Sequence, residues 1–174
     1  MNNSIVLTVI ADDQPGIIRA VSKVLTNHSG NWTQSSMSTL AGQFAGILLV
    51  SVPRENTEAC LAELESLRAQ GLRVITHVSE STPVAEETQV YKLELVGNDR
   101  SGIVHDITTL LANHGVSVKD LETRVESASM SGGELFKASA KLVVPVGLDI
   151  YDLETELEDL ANDLMVDISF AKPG

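Results

Sequence analysis

IADDQPGIIRAVSKVLTNH, at residues 10–28, returns 86 positions later as VGNDRSGIVHDITTLLANH, at residues 96–114. The two stretches share an acid, a glycine and a closing Asn-His pair at matching positions. The matched pairs are Asp13 with Asp99, Gly16 with Gly102, Ile17 with Ile103, and His28 with His114. An internal repeat fixes the organisation of a chain before any finer feature is considered. The sequence therefore predicts two copies of one structural unit.

Hydrophobic periodicity around the repeated motif predicts the elements of each copy. Apolar residues alternate along 5–10 and again along 91–96, which is typical of strands with one buried face. Behind the motif they recur every three or four residues, which indicates a helix that ends at Asn-His before a glycine. A later alternating stretch ends at Pro53 in one copy and at Pro145 in the other, with six extra residues in the preceding turn of the second copy. A second helix and a last strand follow.

This order of elements predicts an α+β protein made of two tandem ferredoxin-like βαββαβ units. Each unit is expected to have an antiparallel four-stranded sheet with two helices on one face. The first domain is predicted to cover residues 1–80 and the second residues 90–174. The polar stretch 81–89 between them reads as a linker.

The two copies differ on the face of the sheet that points away from the helices. In the first copy these positions are apolar: Val6, Ile10, Ala45, Ile47 and Leu49. In the second copy they are mostly polar: Lys92, Val96, Lys137, Ser139 and Lys141. Because a contiguous apolar face is normally covered, we expect the first face to be buried against the other repeat or a second chain. A homodimer is one way to meet this expectation.

Composition excludes several classes of partner. Lys and Arg total 12 against 24 Asp and Glu, a net charge of −12, whereas nucleic-acid and anionic-membrane binding need basic surfaces. The stretch 149–163 carries seven acids and no base. No apolar run approaches the ~20 residues of a membrane span, and the amino terminus lacks the pattern of a signal peptide. We therefore expect a soluble cytoplasmic protein.

The corner between the first strand and the first helix is the candidate binding site. A helix N-terminus presents unpaired N–H groups and the positive end of a dipole, which suit a carboxylate. Gly16 and Gly102 would allow close approach to the backbone, and Asp13 and Asp99 could accept an ammonium group. Together these groups complement an α-amino acid. An alternative stays open, in which the aspartate only caps the helix and the glycine only makes a turn.

Other conspicuous residues predict no chemistry. His28 and His114 lie near helix C-termini, where histidine interacts favourably with the dipole, and the sequence has no metal-ligand spacing. Cys60 reads as a small core residue, since no activating base accompanies it. We expect no catalytic residue, no metal and no cofactor. Asn31 begins the second strand, where a neighbouring copy could reach a ligand.

Two other functions known for this topology fit poorly. An RNA-recognition module stacks bases on aromatic residues of its central strands, and the outward positions here carry none. A phosphate-binding enzyme of the acylphosphatase kind needs an arginine in the loop before the first helix. The first corner has none, and Arg100 in the second corner has no counterpart in the first.

The motif DDQPGII, within a βαββαβ unit, resembles that of the ACT domain, a small-molecule-sensing module. NDRSGIV in the second copy is similar, although Ser101 replaces the usual proline. Two such units covering nearly the whole chain resemble the glycine cleavage system transcriptional repressor family. The resemblance implies a ligand loop at Asp13, Gln14, Pro15, Gly16 and Ile17, and a second loop at Asp99, Arg100, Ser101, Gly102 and Ile103. It also implies that the units pair side by side, with ligands at the interface near these corners.

The same resemblance implies a non-enzymatic regulator that senses an amino acid, glycine in particular. Such a regulator would act through a protein partner, a DNA-binding transcription activator, without touching DNA itself. Two alternatives stay open: a stand-alone regulatory subunit of an amino-acid metabolic enzyme, and an enzyme in its own right. The last has no convergent nucleophile, base and oxyanion site in its favour.

Overall fold

A computed structural model describes residues 1–79, 88–130 and 132–174. The chain divides into two compact units, Met1–Val84 and Ala85–Gly174. Of the predicted linker 81–89, residues 81–87 lie outside the described residues. Its last two residues, Thr88 and Gln89, already belong to the first strand of the second unit.

Each unit has the predicted order of strands and helices. The elements of the first unit are β1 (Asn2–Asp12), α1 (Ile17–Asn27), β2 (Asn31–Leu40), β3 (Gln43–Pro53), α2 (Arg54–Ser66) and β4 (Arg73–Ser79), with a 3₁₀-helix at Leu67–Gln70. Those of the second unit are β5 (Thr88–Asn98), α3 (Ile103–Asn113), β6 (Ser117–Ser127), β7 (Glu134–Pro145), α4 (Ile150–Leu164) and β8 (Val166–Ala171). Along the described ranges, no helix is both long enough and apolar enough to span a lipid bilayer.

The sheets confirm the predicted fold class. All the ladders are antiparallel. The strand order is β2-β3-β1-β4 in the first sheet and β6-β7-β5-β8 in the second. The first strand of each unit therefore lies in the interior of its sheet, with the last strand at one edge and the second strand at the other. This is the order of a ferredoxin-like βαββαβ unit.

The alternating residues of the central strands form the two cores. Ile5, Leu7 and Val9 of β1 are at most 1% exposed, and they pack with Leu48 of β3 and Leu64 of α2. The second unit repeats this arrangement with a separate cluster of residues. That cluster includes Leu93, Leu95, Ile107, Leu111, Leu142, Leu153 and Leu157. Burying one such side chain contributes about 1.5–3 kcal/mol, so the alternation seen in the sequence specifies most of each core.

Strand β2 contributes little to the core, which explains why its sequence pattern is weak. Only Trp32 and Met37 are partly buried among its residues. The pairing with β3 shifts register between Trp32 and Gln34, as at a β-bulge. Asn31–Pro53, which covers β2, β3 and their turn, contains no charged residue.

The outer face of the first sheet is not covered by the described helices and strands of the first unit. Ile47 and Ile75 are 57% and 58% exposed, and Ile10 is 36% exposed. Val6 and Leu49 are partly buried. The sequence correctly assigned these residues to the outer face, which the described elements of the first unit leave exposed. Coverage by the other repeat or by a second chain stays a prediction.

Candidate functional site

A sharp turn connects β1 to α1. The chain leaves the strand at Asp12, passes through the exposed residues 13–15, and enters the helix after Gly16. Gly16 has φ 98° and ψ 0°, and Gly102 at the equivalent corner has φ 95° and ψ −7°. A residue with a Cβ pays about 1–2 kcal/mol for a left-handed conformation. The turn therefore requires glycine at both positions.

The hairpin turn of the same sheet holds each corner in place. The Asp13 N–H donates a 2.9 Å hydrogen bond to the carbonyl of Gly42, and the Asp99 N–H donates a 2.9 Å bond to the carbonyl of Glu134. In the first unit Gln43 Nε2 also donates to Asp12 Oδ1 at 2.6 Å. The backbone of the corner is thus anchored, while its side chains face solvent.

The N-terminus of α1 lacks a side-chain cap. The residue at the cap position is Gly16, and no side chain in the described residues accepts a hydrogen bond there. The first intrahelical bond runs from the Ala20 N–H to the Gly16 carbonyl at 2.9 Å, so the N–H groups of the first turn have no helical acceptor. A Cβ built on Gly16 would meet no atom within 4 Å. Uncapped donors and open space therefore coincide at this corner.

The alternative in which the aspartates cap the helices is wrong. Gly102 occupies the cap position of α3, as Gly16 does in α1, and neither helix has a side-chain cap bond. Asp13 and Asp99 each stand three residues before the cap glycine, exposed, at the point where the strand ends. Their carboxylates are exposed and do not close the first turn of either helix.

The two corners differ in charge. Asp106 lies in the first turn of α3, and its Oδ2 would be 3.8 Å from a Cβ built on Gly102. The matching position in α1 is Ala20, and the first turn of α1 contains no acid. A carboxylate beside a helix N-terminus already interacts with the dipole and repels a second anion. The first turn of α1 therefore lacks the negative charge that Asp106 places at α3, and the Ala20–Asp106 difference was visible in the aligned repeats.

Only some residues of the predicted ligand loops expose their side chains. Residues 13–16 and 99–102 are exposed in both units. Ile17 and Ile103 are instead 4% and 2% exposed and belong to the cores. These isoleucines can offer a ligand only their backbone N–H groups, because their side chains anchor the helices to the sheets.

Asn31 does not join the first corner within its own unit. It begins β2 and pairs with Ser51, whereas Leu40, at the far end of β2, pairs with Gln43 beside the corner. Nine residues of strand separate the two ends, about 30 Å at 3.3 Å per residue. Asn31 could reach a ligand only from another copy of the chain, which stays a prediction.

The recurring histidines pair with the other helix of each unit. His28 Nε2 lies 2.7 Å from Glu63 Oε2, and His114 Nε2 lies 3.1 Å from Glu156 Oε2. Asn27 donates a further hydrogen bond to Glu63. The hydrogen bond from His28 is the largest cause that lowers the pKa of the Glu63 carboxyl below its ordinary value. The sequence analysis missed these pairs, and their arrangement ties the two helices together without forming a binding site.

No catalytic thiol or metal centre emerges from the described residues. Cys60 is completely buried, and this burial, followed by the charge of Glu63, raises the pKa of the thiol. A raised pKa disfavours the nucleophilic thiolate. Within residues 1–79, 88–130 and 132–174, no three His, Cys, Asp or Glu side chains come together to hold a metal ion.

A groove of about 310 Å³ crosses the outer face of the second sheet. Glu94, Arg124 and Lys137 line it. These three charges pair with neighbours: Glu94 with Lys92 at 2.6 Å, and Arg124 and Lys137 with Glu126 at 2.6 and 2.7 Å. The arrangement is that of a solvated sheet face with internal ion pairs.

Comparison with known proteins identifies one family, and two of the similar solved structures match along nearly the whole chain. The model of the ACT domain matches residues 3–79 and 93–171. A crystal structure described as an unknown protein from Galdieria sulphuraria is 30% identical, covers 100% of both chains and has a TM-score of 0.89. A protein assigned as a glycine cleavage system transcriptional repressor is 19% identical, covers 99% of both chains and has a TM-score of 0.70. No curated protein sequence matches the chain.

Proposed function

The chain belongs to the ACT domain family in both of its halves, and from that membership we propose that it is a regulatory protein that senses an amino acid at the first corner. In this proposal the protein acts by changing its contact with a protein partner, and it catalyses no reaction. The proposal rests on one observation above all. The α1 N-terminus combines uncapped N–H groups, open space beside Gly16 and an exposed carboxylate at Asp13.

These three features match the two ends of an α-amino acid. The N–H groups of Ile17 and Ile18 would bind the carboxylate, assisted by the positive end of the helix dipole. The Asp13 carboxylate would accept the ammonium group through charge-assisted hydrogen bonds. Gly16 would let the ligand approach the backbone, because no side chain stands in the way.

Glycine is the first ligand to test, because a structurally similar protein is assigned as a repressor of the glycine cleavage system. By that analogy the partner would be a DNA-binding activator, and the chain itself would not contact DNA. The two proteins would bind each other in the cytoplasm. Its charge of −12 agrees with that division of labour. Ligand would favour one arrangement of the protein and the partner another, so that binding of the two is coupled.

Thermal-shift titration of the full chain with each amino acid tests the sensing function. A ligand at 100 times its Kd stabilises the folded state by about 2.7 kcal/mol. Replacing Asp13 with Asn should remove that stabilisation, since the ammonium group loses its charged acceptor. Replacing Asp99 with Asn is the matched control at the second corner, and we expect it to keep the response.

The outcomes separate the site from the function. No stabilisation of the unaltered chain by any amino acid contradicts sensing by this protein. A response that survives Asp13→Asn but disappears in Asp99→Asn moves the site to the second corner. A response that survives both changes places the ligand outside the two corners.

A second candidate function is that of a stand-alone regulatory subunit for an amino-acid metabolic enzyme. It would use the same ligand site with a different partner. Recovery of proteins bound to the full chain from a native lysate, with and without the amino acid, distinguishes the two. A DNA-binding protein supports the first, and a metabolic enzyme supports the second.

A further inference from the structure

The outer face of the first sheet is an exposed apolar surface. We define this first outer face by its apolar side chains on three adjacent strands, Val6, Ile10, Ala45, Ile47, Leu49 and Ile75. Thr8, which pairs with Ile47 and Ile75, and His77, which pairs with Val6, lie on the same face. In cross-strand register Val6 pairs with Leu49, and Ile10 pairs with Ala45. Ile47 and Ile75 are more than half exposed. Both helices cover the opposite side of the sheet, so no element of the first unit covers this face.

The second sheet shows what a solvated face of the same fold contains. Its Lys92 pairs with Glu94 on the same strand, and Lys137 pairs with Glu126 of the edge strand. Asn31–Pro53, in the first unit, has no charge, whereas the matching stretch Ser117–Pro145 has eight. Since both sheets come from one chain, their difference is not a property of the fold. It indicates that the first face has a different environment from the second.

Charge limits where two copies of the chain can meet. The chain carries a net charge of −12, so two copies repel each other through most of their surfaces. A two-fold contact brings the same patch of both copies together. Such a patch must therefore carry few like charges, which would repel each other across the contact. On the strands of the first outer face, the charged outward residues are Asp12 and Arg73, both at one end of the sheet. The centre of the face is uncharged.

The size of the face matches what a dimer requires. The strands of the first sheet are seven to eleven residues long, on average about 32 Å, and four of them spaced about 4.8 Å apart span roughly 19 Å. The projected area is thus roughly 600 Å², and the accessible area of a corrugated surface exceeds its projection. A stable interface buries about 800 Å² on each partner. The outer side of the whole first sheet, β2 included, approaches this size.

We propose that a second copy of this chain packs on the first outer face, so that two first sheets meet face to face about 10 Å apart. This contact differs from side-by-side pairing of sheets, because it uses the side chains on the face and leaves the edge strands unpaired. It is independent of the ligand proposed at the first corner.

Sedimentation velocity of the full chain tests the contact through a pair of matched substitutions. Ile47→Asp places a carboxylate at the centre of the first outer face, where the dimer would bury it without a partner. We expect the dimer dissociation constant to rise at least about a hundredfold, because an unpaired buried charge is costly. Ser139→Asp is the control, since Ser139 pairs with Glu94 at the equivalent position of the second sheet. We expect this control to leave the dimer unchanged.

Trp32 fluorescence and circular dichroism establish that each variant is folded. Ile75→Asp on β4 repeats the test at a second, 58% exposed position. A monomer at concentrations up to about 100 μM overturns the proposal, because this lies well above the micromolar Kd of a weak interface of this size. A dimer that survives both Ile47→Asp and Ile75→Asp also overturns it, since the copies would then meet elsewhere.

Discussion

Replacing Gly97 with alanine tests the packing of the second unit at its closest approach. Gly97 of β5 pairs with Val166, the first residue of β8. A Cβ on Gly97 would overlap Val166 Cγ1, and it would lie 2.8 Å from Val166 Cβ and 3.0 Å from Val166 Cα. A rotation of the valine side chain cannot relieve the contact with Cα. The start of β8 would have to move away from β5.

The expected loss of stability follows from two opposing effects. Inserting a methyl group into a packed core costs about 1–3 kcal/mol, and contact with backbone puts this case near the upper end. Alanine restricts the unfolded chain more than glycine does, which returns about 0.4–1 kcal/mol. The net loss is about 2 kcal/mol, which corresponds to roughly 8–16 °C in the unfolding midpoint of a domain this small.

The chain provides a separate optical probe for each unit. Its single tryptophan, Trp32, lies in the first unit, and its two tyrosines, Tyr91 and Tyr151, lie in the second. Tyr91 stacks on Phe170 with ring centroids 4.7 Å apart. Its near-ultraviolet circular dichroism should therefore report loss of tertiary structure there. We expect Gly97→Ala to lower the midpoint seen by the tyrosine signal and to leave the Trp32 fluorescence transition in place.

A matched substitution in the first unit checks the reasoning. Ala11 occupies the position equivalent to Gly97, and it is 4% exposed. Ala11→Gly removes a buried methyl group and loosens the strand, at a cost of about 1–2 kcal/mol, so it should move only the Trp32 transition. The close approach at Gly97 is refuted if Gly97→Ala changes the second unit by less than about 0.5 kcal/mol.

Two further predictions concern helix contacts. The pKa of the Glu63 carboxyl is lowered in the folded state, so the ionised carboxylate stabilises the first unit at pH values above its ordinary pKa of about 4.3. This stabilisation is lost as the pH falls through the lower pKa of the folded state. Glu63→Gln should therefore flatten the acid side of the pH–stability profile followed by Trp32 fluorescence, and an unchanged profile would contradict the His28 contact. Asp149 accepts hydrogen bonds from the Tyr151 and Asp152 N–H groups at the start of α4. Asp149→Ala should cost about 1 kcal/mol in urea unfolding of the second unit, and a loss near zero would show that water replaces the cap.

The sequence predicted the elements whose burial is periodic. Ile5, Leu7 and Val9 alternate into the core because β1 lies in the interior of its sheet, with one face under the helices. Strand β2 lies at an edge, and it was therefore harder to recognise. An edge strand buries few side chains, so its sequence has little reason to alternate.

The parts of the site that sequence reasoning missed depend on conformation and distance. The repeat identified the corner, but capping by aspartate was excluded only by the structure, in which Gly16 and Gly102 hold the cap positions and no side chain caps either helix. The pairing of His28 with Glu63 joins residues 35 positions apart, which no local pattern predicts. The direction of β2 carries Asn31 away from the corner, a consequence of sheet order that spacing along the chain does not reveal.

The uncharged stretch Asn31–Pro53 also has a consequence for the unfolded chain. It contains two adjacent β-strands with no charge and no proline before Pro53. Segments of high β-propensity and low charge are the ones that associate into cross-β aggregates once they are exposed. Electrostatic repulsion among the acids elsewhere in the chain then becomes the main protection, and added salt weakens it. During synthesis, refolding and heating, solubility therefore depends on how quickly the first sheet closes over this hairpin, and ionic strength determines how much delay the protein tolerates.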